Sequence, residues 1–260
     1  MDKTLRGQVA LISGGLGDIG RAIAVELARR GADVAVGDLL EAVAAEPLLK
    51  EITGLNRRGR YDRVDVTDPD AVTAWVASVE AELGLATLVI PNAAIVQLVS
   101  FGELTADQWQ RELAVNLNGA FYLAHAATAR MVHHKKSGRV VFLGSWAAHS
   151  VHTHIPAYCV SKAGLRMLCQ CMAAELAAHD ILVNEVAPGW VDAGLTGQLF
   201  DKEPARRKSA VDVIPVGRLI EADEVAAQVA HLCEPTNRHM TGSTLLMDGG
   251  LSLLGPSTKG

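Results

Sequence analysis

The sequence predicts an α/β fold, in which one domain is built on a doubly wound parallel sheet of about seven strands with helices on both faces. Two observations predict this class. Short apolar runs alternate with helical patterns along the chain, an order typical of a parallel sheet covered on both sides. The length of 260 residues, with 49% hydrophobic and 20% charged residues, suits a single domain with a large core. We therefore expect residues 1–260 to form one domain.

Each strand is predicted from a short apolar run, and each helix from apolar residues that recur on one face. One helix starts at Asp68 as its N-cap, with Pro69 in its first turn. The segment 193–214 begins polar and lacks clear periodicity, and we interpret it as an insertion that forms a helical lid. The predicted strands are residues 8–12, 33–37, 61–65, 87–91, 139–144, 181–186 and 243–247. The predicted helices are residues 19–30, 68–82, 105–114, 117–134, 156–178 and 222–233.

A glycine-rich turn joins the first predicted strand to the first predicted helix. The turn runs from Ser13 to Gly20, and Gly31 follows the helix, where a left-handed cap is favoured. Glycines let the backbone approach a pyrophosphate, and the N-terminus of a helix favours its negative charge. A strand, a glycine turn and a helix in this order predict a dinucleotide site.

Asp38 follows the second predicted strand and selects between the two nicotinamide dinucleotides. A carboxylate at this position accepts hydrogen bonds from the adenosine ribose hydroxyls and repels a 2′-phosphate. The turn from Ser13 to Gly20 contains neither Lys nor Arg, and Leu39-Leu40 follows Asp38. The sequence therefore predicts NAD(H) rather than NADP(H).

Tyr158 and Lys162 lie four residues apart in a predicted amphipathic helix, with Ser145 upstream. Residues at this spacing share one helix face. A free phenol has a pKa near ~10, and a fixed ammonium one turn away favours the phenolate. The spacing alone is common on solvated helix faces. Together with the glycine turn, it predicts a tyrosine that exchanges a proton with a substrate oxygen polarised by a serine.

With these residues in hand, the chain resembles the short-chain dehydrogenase/reductase family over essentially its whole length. The resemblance rests on several motifs that occur in the family's order, and it implies a Rossmann-like fold. The matching positions are Ser13–Gly20, Asp65-Val66, Pro91–Ala94, Asn116 within Val115–Gly119, Ser145, Tyr158, Lys162, Pro188-Gly189 and Asp248–Gly250.

The resemblance also implies the roles of individual residues. Tyr158 exchanges the proton, Lys162 lowers the pKa of Tyr158 and holds the nicotinamide ribose, and Ser145 positions the substrate oxygen. Asn116 holds a water that links Lys162 to solvent, so the four implied catalytic residues are Asn116, Ser145, Tyr158 and Lys162. The implied cofactor-binding residues are Gly14, Gly17, Asp18, Ile19, Gly20, Asp38, Asp65, Val66, Asn92, Ala93, Tyr158, Lys162, Pro188, Gly189 and Val191.

The sequence departs from the family pattern around the cofactor. Asp18 replaces the middle glycine of the turn, and Gly17 is displaced by one position. An aspartate here caps backbone amides, and it also brings negative charge near the pyrophosphate. Ala94 replaces a glycine, and Ala193 stands where a threonine that contacts the nicotinamide is common, with Thr196 close by as a substitute.

Composition excludes several other classes of protein. A net charge of −5 and a pI near 6.0 provide no basic surface for nucleic acid. Lys3 and Arg6 precede only a short apolar run, and the apolar stretch Leu85–Val99 is interrupted by Pro91 and Asn92, so neither a signal peptide nor a membrane span is expected. The four cysteines show neither metal-ligand spacing nor a disulfide framework. We expect a cytoplasmic protein.

Three histidines, His149, His152 and His154, lie between Ser145 and Tyr158. The segment offers them no cysteine or carboxylate partner, and the implied chemistry needs no metal, so no metal site is expected. We interpret them as part of a substrate mouth, where a histidine bonds a polyol or pairs with a carboxylate. The segments expected to form the substrate pocket are 96–104, 146–155 and 190–214.

The resemblance implies a homotetramer that pairs helices 105–134 and 156–178 across one axis and the C-terminal strand across another. Helix 156–178 carries apolar or small residues on more than one face, and the tail from Leu251 to Leu254 is apolar for a terminus. The alternative is that these residues complete the core of the monomer. The helix residues in question are Leu165, Leu168, Cys169, Met172, Ala173 and Leu176.

Three functions are compatible with these observations. The first is an NAD-dependent dehydrogenase of a small secondary alcohol, with a sugar, a polyol or a hydroxy acid favoured. The second is a 3-oxoacyl-thioester reductase, which usually takes NADPH and is therefore disfavoured by Asp38. The third is a non-catalytic NAD-binding scaffold, which has no need for Asn116, Ser145, Tyr158 and Lys162 together.

Overall fold

A computed structural model describes residues 4–253 of the chain. Seven parallel strands form one sheet in the order β3-β2-β1-β4-β5-β6-β7. The predicted fold class is therefore confirmed. The strands are β1 (Val9–Ser13), β2 (Asp33–Asp38), β3 (Gly59–Arg63), β4 (Leu88–Pro91), β5 (Gly138–Leu143), β6 (Ile181–Pro188) and β7 (Thr244–Met247).

Among the strands, β3 is the one whose predicted bounds differ most from the observed ones. It pairs with β2 from Val34 opposite Gly59 to Asp38 opposite Arg63, two residues earlier than the apolar pattern suggested. Gly59 fits against Leu49 and Ile52, so the strand begins where the chain passes beneath a helix. Asp65 consequently lies beyond the strand, in the loop at the carboxyl edge of the sheet.

Helices cover both faces of the sheet, and the predicted ones are confirmed within three residues at each end. One helix, α2, was not predicted, although Leu48 and Ile52 form its buried face and a proline occupies its first turn. Asp68 caps α3 as expected, accepting hydrogen bonds from the backbone N–H groups of Asp70 and Ala71. The helices are α1 (Asp18–Arg29), α2 (Glu46–Gly54), α3 (Pro69–Leu83), α4 (Ala106–Leu113), α5 (Ala120–His133), α6 (Pro156–Leu176), α7 (Gly194–Lys202), α8 (Pro204–Val213) and α9 (Ala222–Cys233).

The apparent gap between α4 and α5 is a π-helical turn, Ala114–Gly119, rather than a break. One extra residue per turn keeps the chain helical while it changes the direction in which side chains point. Asn116 lies in the middle of this turn. Such turns are frequent at functional sites.

The core is divided by the sheet into two halves. Helices α1, α2 and α9 pack on one face, and α3, α5 and α6 pack on the other. Leu165, Cys169 and Ala173 of α6 are almost fully buried in the second half. These three residues therefore complete the core of the subunit, as the alternative interpretation held. Leu254 of the apolar tail lies outside the described residues.

The segment 193–214 forms the two helices α7 and α8, joined at Glu203. Phe200, Ala210 and Ile214 pack with Leu219 into a small separate core beside the carboxyl edge of the sheet. None of the helices within residues 4–253 has both the length and the apolar character needed to cross a lipid bilayer.

Candidate active site

The glycine turn is packed closely between β1, β4 and α1. Gly14 has φ +64°, and a Cβ there would lie 2.8 Å from the Cα of Ala93. A Cβ on Gly20 would lie 2.1 Å from the carbonyl oxygen of Gly14. Gly17 is different, because the closest protein atom to its added Cβ is 3.6 Å away. Among the described residues, a Cβ at Gly17 would therefore meet only this one atom, at an ordinary contact distance, and the remaining space around Gly17 is open, as close approach of a ligand requires.

A cavity of about 490 Å³ begins at this turn and runs along the carboxyl ends of the strands. It lies beyond the ends of β1 and β4, where the strand order reverses, and this switch point is where open α/β sheets bind ligands. All the residues predicted to bind the cofactor line it. Further lining residues were not predicted, because nothing in their type marks them: Leu39, Val64, Ile95, Arg111, Val115 and Gly194.

Asp38 lies at one end of the cavity with its carboxylate held in place. Its two oxygens accept hydrogen bonds from the backbone N–H groups of Leu16, at 3.1 Å, and Leu39, at 2.8 Å. Asp38 has a basic neighbour, Arg63, which sequence reasoning missed. Arg63 is the register partner of Asp38 on β3, and its guanidinium donates a hydrogen bond to the carbonyl of Leu39. The guanidinium of Arg63 also forms an ion pair of 3.0 Å with Glu41.

Asn92 and Asp18 each form hydrogen bonds with the backbone that lines the cavity. The side-chain amide of Asn92 donates to the carbonyl oxygens of Ser13, at 3.0 Å, and Gly14, at 2.9 Å. Asp18 does not act as the N-cap of its own helix, whose N-cap is Gly17. Its carboxylate instead accepts a hydrogen bond of 2.6 Å from the backbone N–H of Gly194, the first residue of α7. Asp18 therefore ties the predicted lid to the glycine turn.

Tyr158, Lys162 and Ser145 meet at the other end of the cavity. The ammonium of Lys162 lies 5.5 Å from the centroid of the Tyr158 ring and donates to the carbonyl of Leu143 at 2.7 Å. Ser145 follows β5 and accepts a hydrogen bond of 3.1 Å from the N–H of Ala147, which fixes its hydroxyl. The helix α6 and the end of β5 thus bring together three of the four predicted catalytic side chains.

Asn116 lies behind these three residues, buried at 1% exposure. Its side chain exchanges two hydrogen bonds of 2.8 Å with the backbone of Ile95 and donates to the hydroxyl of Ser161 at 3.2 Å. Ser161 in turn donates to the carbonyl of Tyr158 at 2.8 Å. These contacts join the π-helical turn, the loop after β4 and α6. Sequence reasoning did not single out Ser161, the residue beside Lys162.

Burial shifts the pKa values of the two proton-carrying groups in opposite directions. It raises the pKa of Tyr158 to about 12, while a hydrogen bond from Ser145 lowers it and the charge of Glu112 raises it. It lowers the pKa of Lys162 to about 8, and the charge of Glu185 raises it. With no ligand bound, burial thus holds the pKa of Tyr158 above that of a free phenol, opposite to the direction that the sequence predicts.

A second cavity, of about 900 Å³, opens from the first and receives residues from all three segments expected to form a substrate pocket. Trp146 is central to its wall, with ring centroids 5.4 Å from Trp190 and 4.5 Å from His152. His152 and His154 line the cavity, whereas the His149 ring lies 3.3 Å from a nitrogen of Arg166. Within residues 4–253, no three His, Cys, Asp or Glu side chains are grouped as metal ligands.

The amino-acid sequence of the chain is similar to the sequences of known enzymes. Residues 15–252 match a family described as enoyl-(acyl carrier protein) reductase. The 3-oxoacyl-(acyl-carrier-protein) reductase of Pseudomonas aeruginosa is 32% identical over 248 residues, covering 95% of this chain and 98% of the relative. The L-rhamnose-1-dehydrogenase of Scheffersomyces stipitis is 32% identical over 254 residues, covering 96% and 98%.

Solved structures share the fold over nearly the same length. A short-chain type dehydrogenase/reductase from Mycobacterium marinum superposes with a TM-score of 0.89 at 31% identity, covering 96% of this chain and 97% of its own. A gluconate 5-dehydrogenase from Burkholderia cenocepacia, solved with NADP and tartrate, gives a TM-score of 0.91 at 26% identity, covering 97% and 98%.

Proposed function

The chain belongs to the short-chain dehydrogenase/reductase family, and on this premise we propose that it is an NAD-dependent oxidoreductase of a secondary alcohol and its ketone. Family membership itself makes the chain an oxidoreductase that binds a nicotinamide cofactor. The identity of the dinucleotide, the alcohol substrate and the residues that act on it belong to the proposal.

One observation carries the proposal: Tyr158 and Ser145 line both cavities at the place where the two meet. The first cavity has the features of a dinucleotide site, and the second is large enough for a small organic substrate. A group in the second cavity therefore contacts the tyrosine and the serine on the side that faces the first. This is the arrangement that hydride transfer between two bound molecules requires.

The proposed roles follow from the contacts. The hydroxyl of Ser145 donates a hydrogen bond to the substrate oxygen, and Tyr158 takes the proton from an alcohol or returns it to a ketone. Lys162, held on the carbonyl of Leu143, supplies the positive charge that favours the phenolate. Asn116 holds the backbone of Tyr158 through Ser161 and is proposed to order a water at Lys162.

The residues of the first cavity fit a nicotinamide dinucleotide. The open space at Gly17 and the N-terminus of α1 suit a pyrophosphate, and Asp38 faces the position of an adenosine ribose. We place the adenine beside Asp65 and Val66 and the nicotinamide beside Pro188, Gly189 and Val191. When bound, the cofactor supplies or accepts the hydride. The carboxylate of Asp38 favours NAD(H), although Arg63 lies beside it.

The substrate we favour is a sugar, a polyol or a hydroxy acid. The names of the L-rhamnose-1-dehydrogenase and the gluconate 5-dehydrogenase support this class. The second candidate is a 3-oxoacyl-thioester reductase, which is favoured by the Pseudomonas aeruginosa relative and by the apolar wall of Leu98, Val151 and Trp190. A non-catalytic NAD-binding scaffold is the third reading.

A turnover screen tests the proposal. Sugars, polyols, hydroxy acids, cyclic alcohols and a 3-oxoacyl thioester are offered with each dinucleotide, and absorbance of the reduced cofactor is followed. We expect oxidation of a small secondary alcohol with NAD. Calorimetric titration should show tighter binding of NADH than of NADPH. The variant Asp38→Ser should reduce the difference between these two affinities. Turnover of the thioester alone would favour the second candidate, and cofactor binding without any turnover would favour the scaffold.

A further inference from the structure

Glu185 is a fully buried acid under the helix that carries Tyr158 and Lys162. It lies on β6 with 0% exposure. Ile181 and Val183 on the same strand pack into the half of the core formed with α6, and the alternation of a strand directs Glu185 to that face. A buried acid at this depth is rare unless it is paired.

Within the part of the chain that the structure describes, only one of the two carboxylate oxygens of Glu185 takes part in a hydrogen bond. One oxygen accepts a bond of 2.6 Å from the hydroxyl of Thr244 on β7. The other oxygen is buried without a hydrogen-bond partner among residues 4–253. A buried carboxylate in this state costs free energy, and a positive charge nearby offsets part of that cost.

The unpaired oxygen lies against the backbone that connects the catalytic groups. Gly144 joins Leu143 to Ser145, and a Cβ on Gly144 would lie 1.8 Å from this oxygen of Glu185. The carbonyl of Leu143 holds the ammonium of Lys162 at 2.7 Å. Only a glycine at this position leaves room for the carboxylate beside the lysine anchor.

Within residues 4–253, the charged groups that act on Glu185 are Lys162 and Arg166, both on α6. Burial raises the pKa of Glu185, and its hydrogen bond with Thr244 and the charges of Lys162 and Arg166 lower it. Burial lowers the pKa of Lys162, and Glu185 raises it. The remaining titratable neighbour is Cys169, whose thiol pKa is raised to about 12, first by burial and then by Glu185. The thiol therefore stays neutral, and Thr244 on β7 adds no charge.

We propose that Glu185 is a positioning residue for Lys162, whose buried carboxylate keeps the lysine protonated and seated on the carbonyl of Leu143. The inference rests on the role that the proposed function gives to Lys162. A merely structural Glu185 would tie β6 to β7 through Thr244 and leave the proton equilibrium of the lysine unaffected. The variant Glu185→Gln distinguishes the two roles. Its amide oxygen still accepts the hydrogen bond from Thr244, but the negative charge is lost.

The test follows the titration of Lys162 by ¹³C NMR of lysines labelled at Cε, assigned with Lys162→Arg. Glu185→Gln should lower the titration midpoint of Lys162 by roughly one pH unit, which is a tenfold change in its protonation equilibrium. The alkaline limb of the pH profile of alcohol oxidation should move by the same amount. Glu175→Gln, an exposed acid on the same helix, is the matched control and should leave both unchanged.

The outcome decides between the two roles. A Lys162 midpoint in Glu185→Gln equal to that of the wild type would overturn the proposal. Glu185→Met, which also removes the charge, should shift the midpoint in the same direction if the amide variant folds poorly. Because the titration needs no turnover, wild-type protein that oxidises no alcohol would count against the proposed function alone, and the titration would still decide the coupling.

Discussion

At the scale of single residues, Tyr158 is the group on which the proposed chemistry depends. Burial raises its pKa to about 12, so in the protein without ligands the phenol stays protonated near neutral pH and little phenolate is available as a base. Its ring lies at the base of two cavities, partly accessible but surrounded by protein. Under the proposed function, this position lets the phenol reach a substrate in the second cavity while most of its ring is covered by protein.

Tyr158→Phe should reduce turnover by about 10²–10⁴-fold, the range expected when a general acid–base group is lost. NADH binding should be preserved, because the change removes one hydroxyl and little packing volume. Steady-state rates and calorimetric titration of NADH measure the two effects. Tyr122→Phe on α5 is the matched control and should keep wild-type rates. Turnover within a few-fold of wild type in Tyr158→Phe would refute the assignment.

Glu112 of α4 is a second buried acid, and neither of its oxygens has a hydrogen-bond partner among the described residues. Burial raises its pKa from 4.5 to about 7. A folded pKa above the unfolded one means that folding takes up a proton, so stability falls as pH rises from about 4.5 to about 7 and stays low above that. The ionised group also disfavours the Tyr158 phenolate.

Glu112→Met should therefore stabilise the protein most at alkaline pH. Ionising the buried acid costs on the order of 3 kcal/mol from this rise in pKa. We expect the difference in unfolding free energy between variant and wild type to grow by an amount of this order between pH 5 and pH 8, measured by denaturant titration. Glu46→Met, at an exposed acid of α2, should show no such growth. A constant difference across this pH range would contradict the buried-acid argument.

At the scale of elements, sequence patterns predict the sheet and the long helices well because both have strong periodicities. The motif residues are also found together, since the carboxyl ends of parallel strands meet at one edge. Helix α2 was missed because its apolar face has only Leu48 and Ile52. The π-helical turn at Asn116 was missed because it shares the composition of an ordinary helix. Arg63 was missed because strand register, which places it opposite Asp38, cannot be read from one strand alone.

The tie between Asp18 and Gly194 is a contact between elements that no local pattern predicts. It spans 176 residues of sequence and joins α1 to the first residue of α7. Asp18→Ala should increase hydrogen–deuterium exchange at Gly194 and along α7, because the amide loses its acceptor. Asp18→Asn keeps an acceptor oxygen and is the control that should retain protection. Equal protection in Asp18→Ala and wild type would show that the lid is held by other contacts.

At the scale of the whole molecule, apolar residues remain exposed on the outer sides of α5 and α6. Phe121 is 40% exposed, Val160 47% and Met167 58%. They are not the residues of α6 singled out from the sequence, because Leu165, Cys169 and Ala173 are buried within the subunit. The argument from apolar surface nevertheless applies to these exposed residues, since apolar side chains grouped on a protein surface usually mark a contact between molecules.

We expect these helices to pair across a two-fold axis and the region of β7 across another, giving a homotetramer. Met167→Glu should disrupt the first contact, because it places a charge in the centre of an apolar interface, where an unpaired charge is strongly unfavourable. Size exclusion coupled to light scattering should then report a smaller mass than for wild type. Val43→Glu, at a residue 68% exposed in the short helical turn before α2, introduces the same charge away from these surfaces and should leave the mass unchanged. A wild-type mass equal to one 27.5 kDa chain at micromolar concentration would rule out the oligomer and leave the exposed apolar residues of α5 and α6 for another partner.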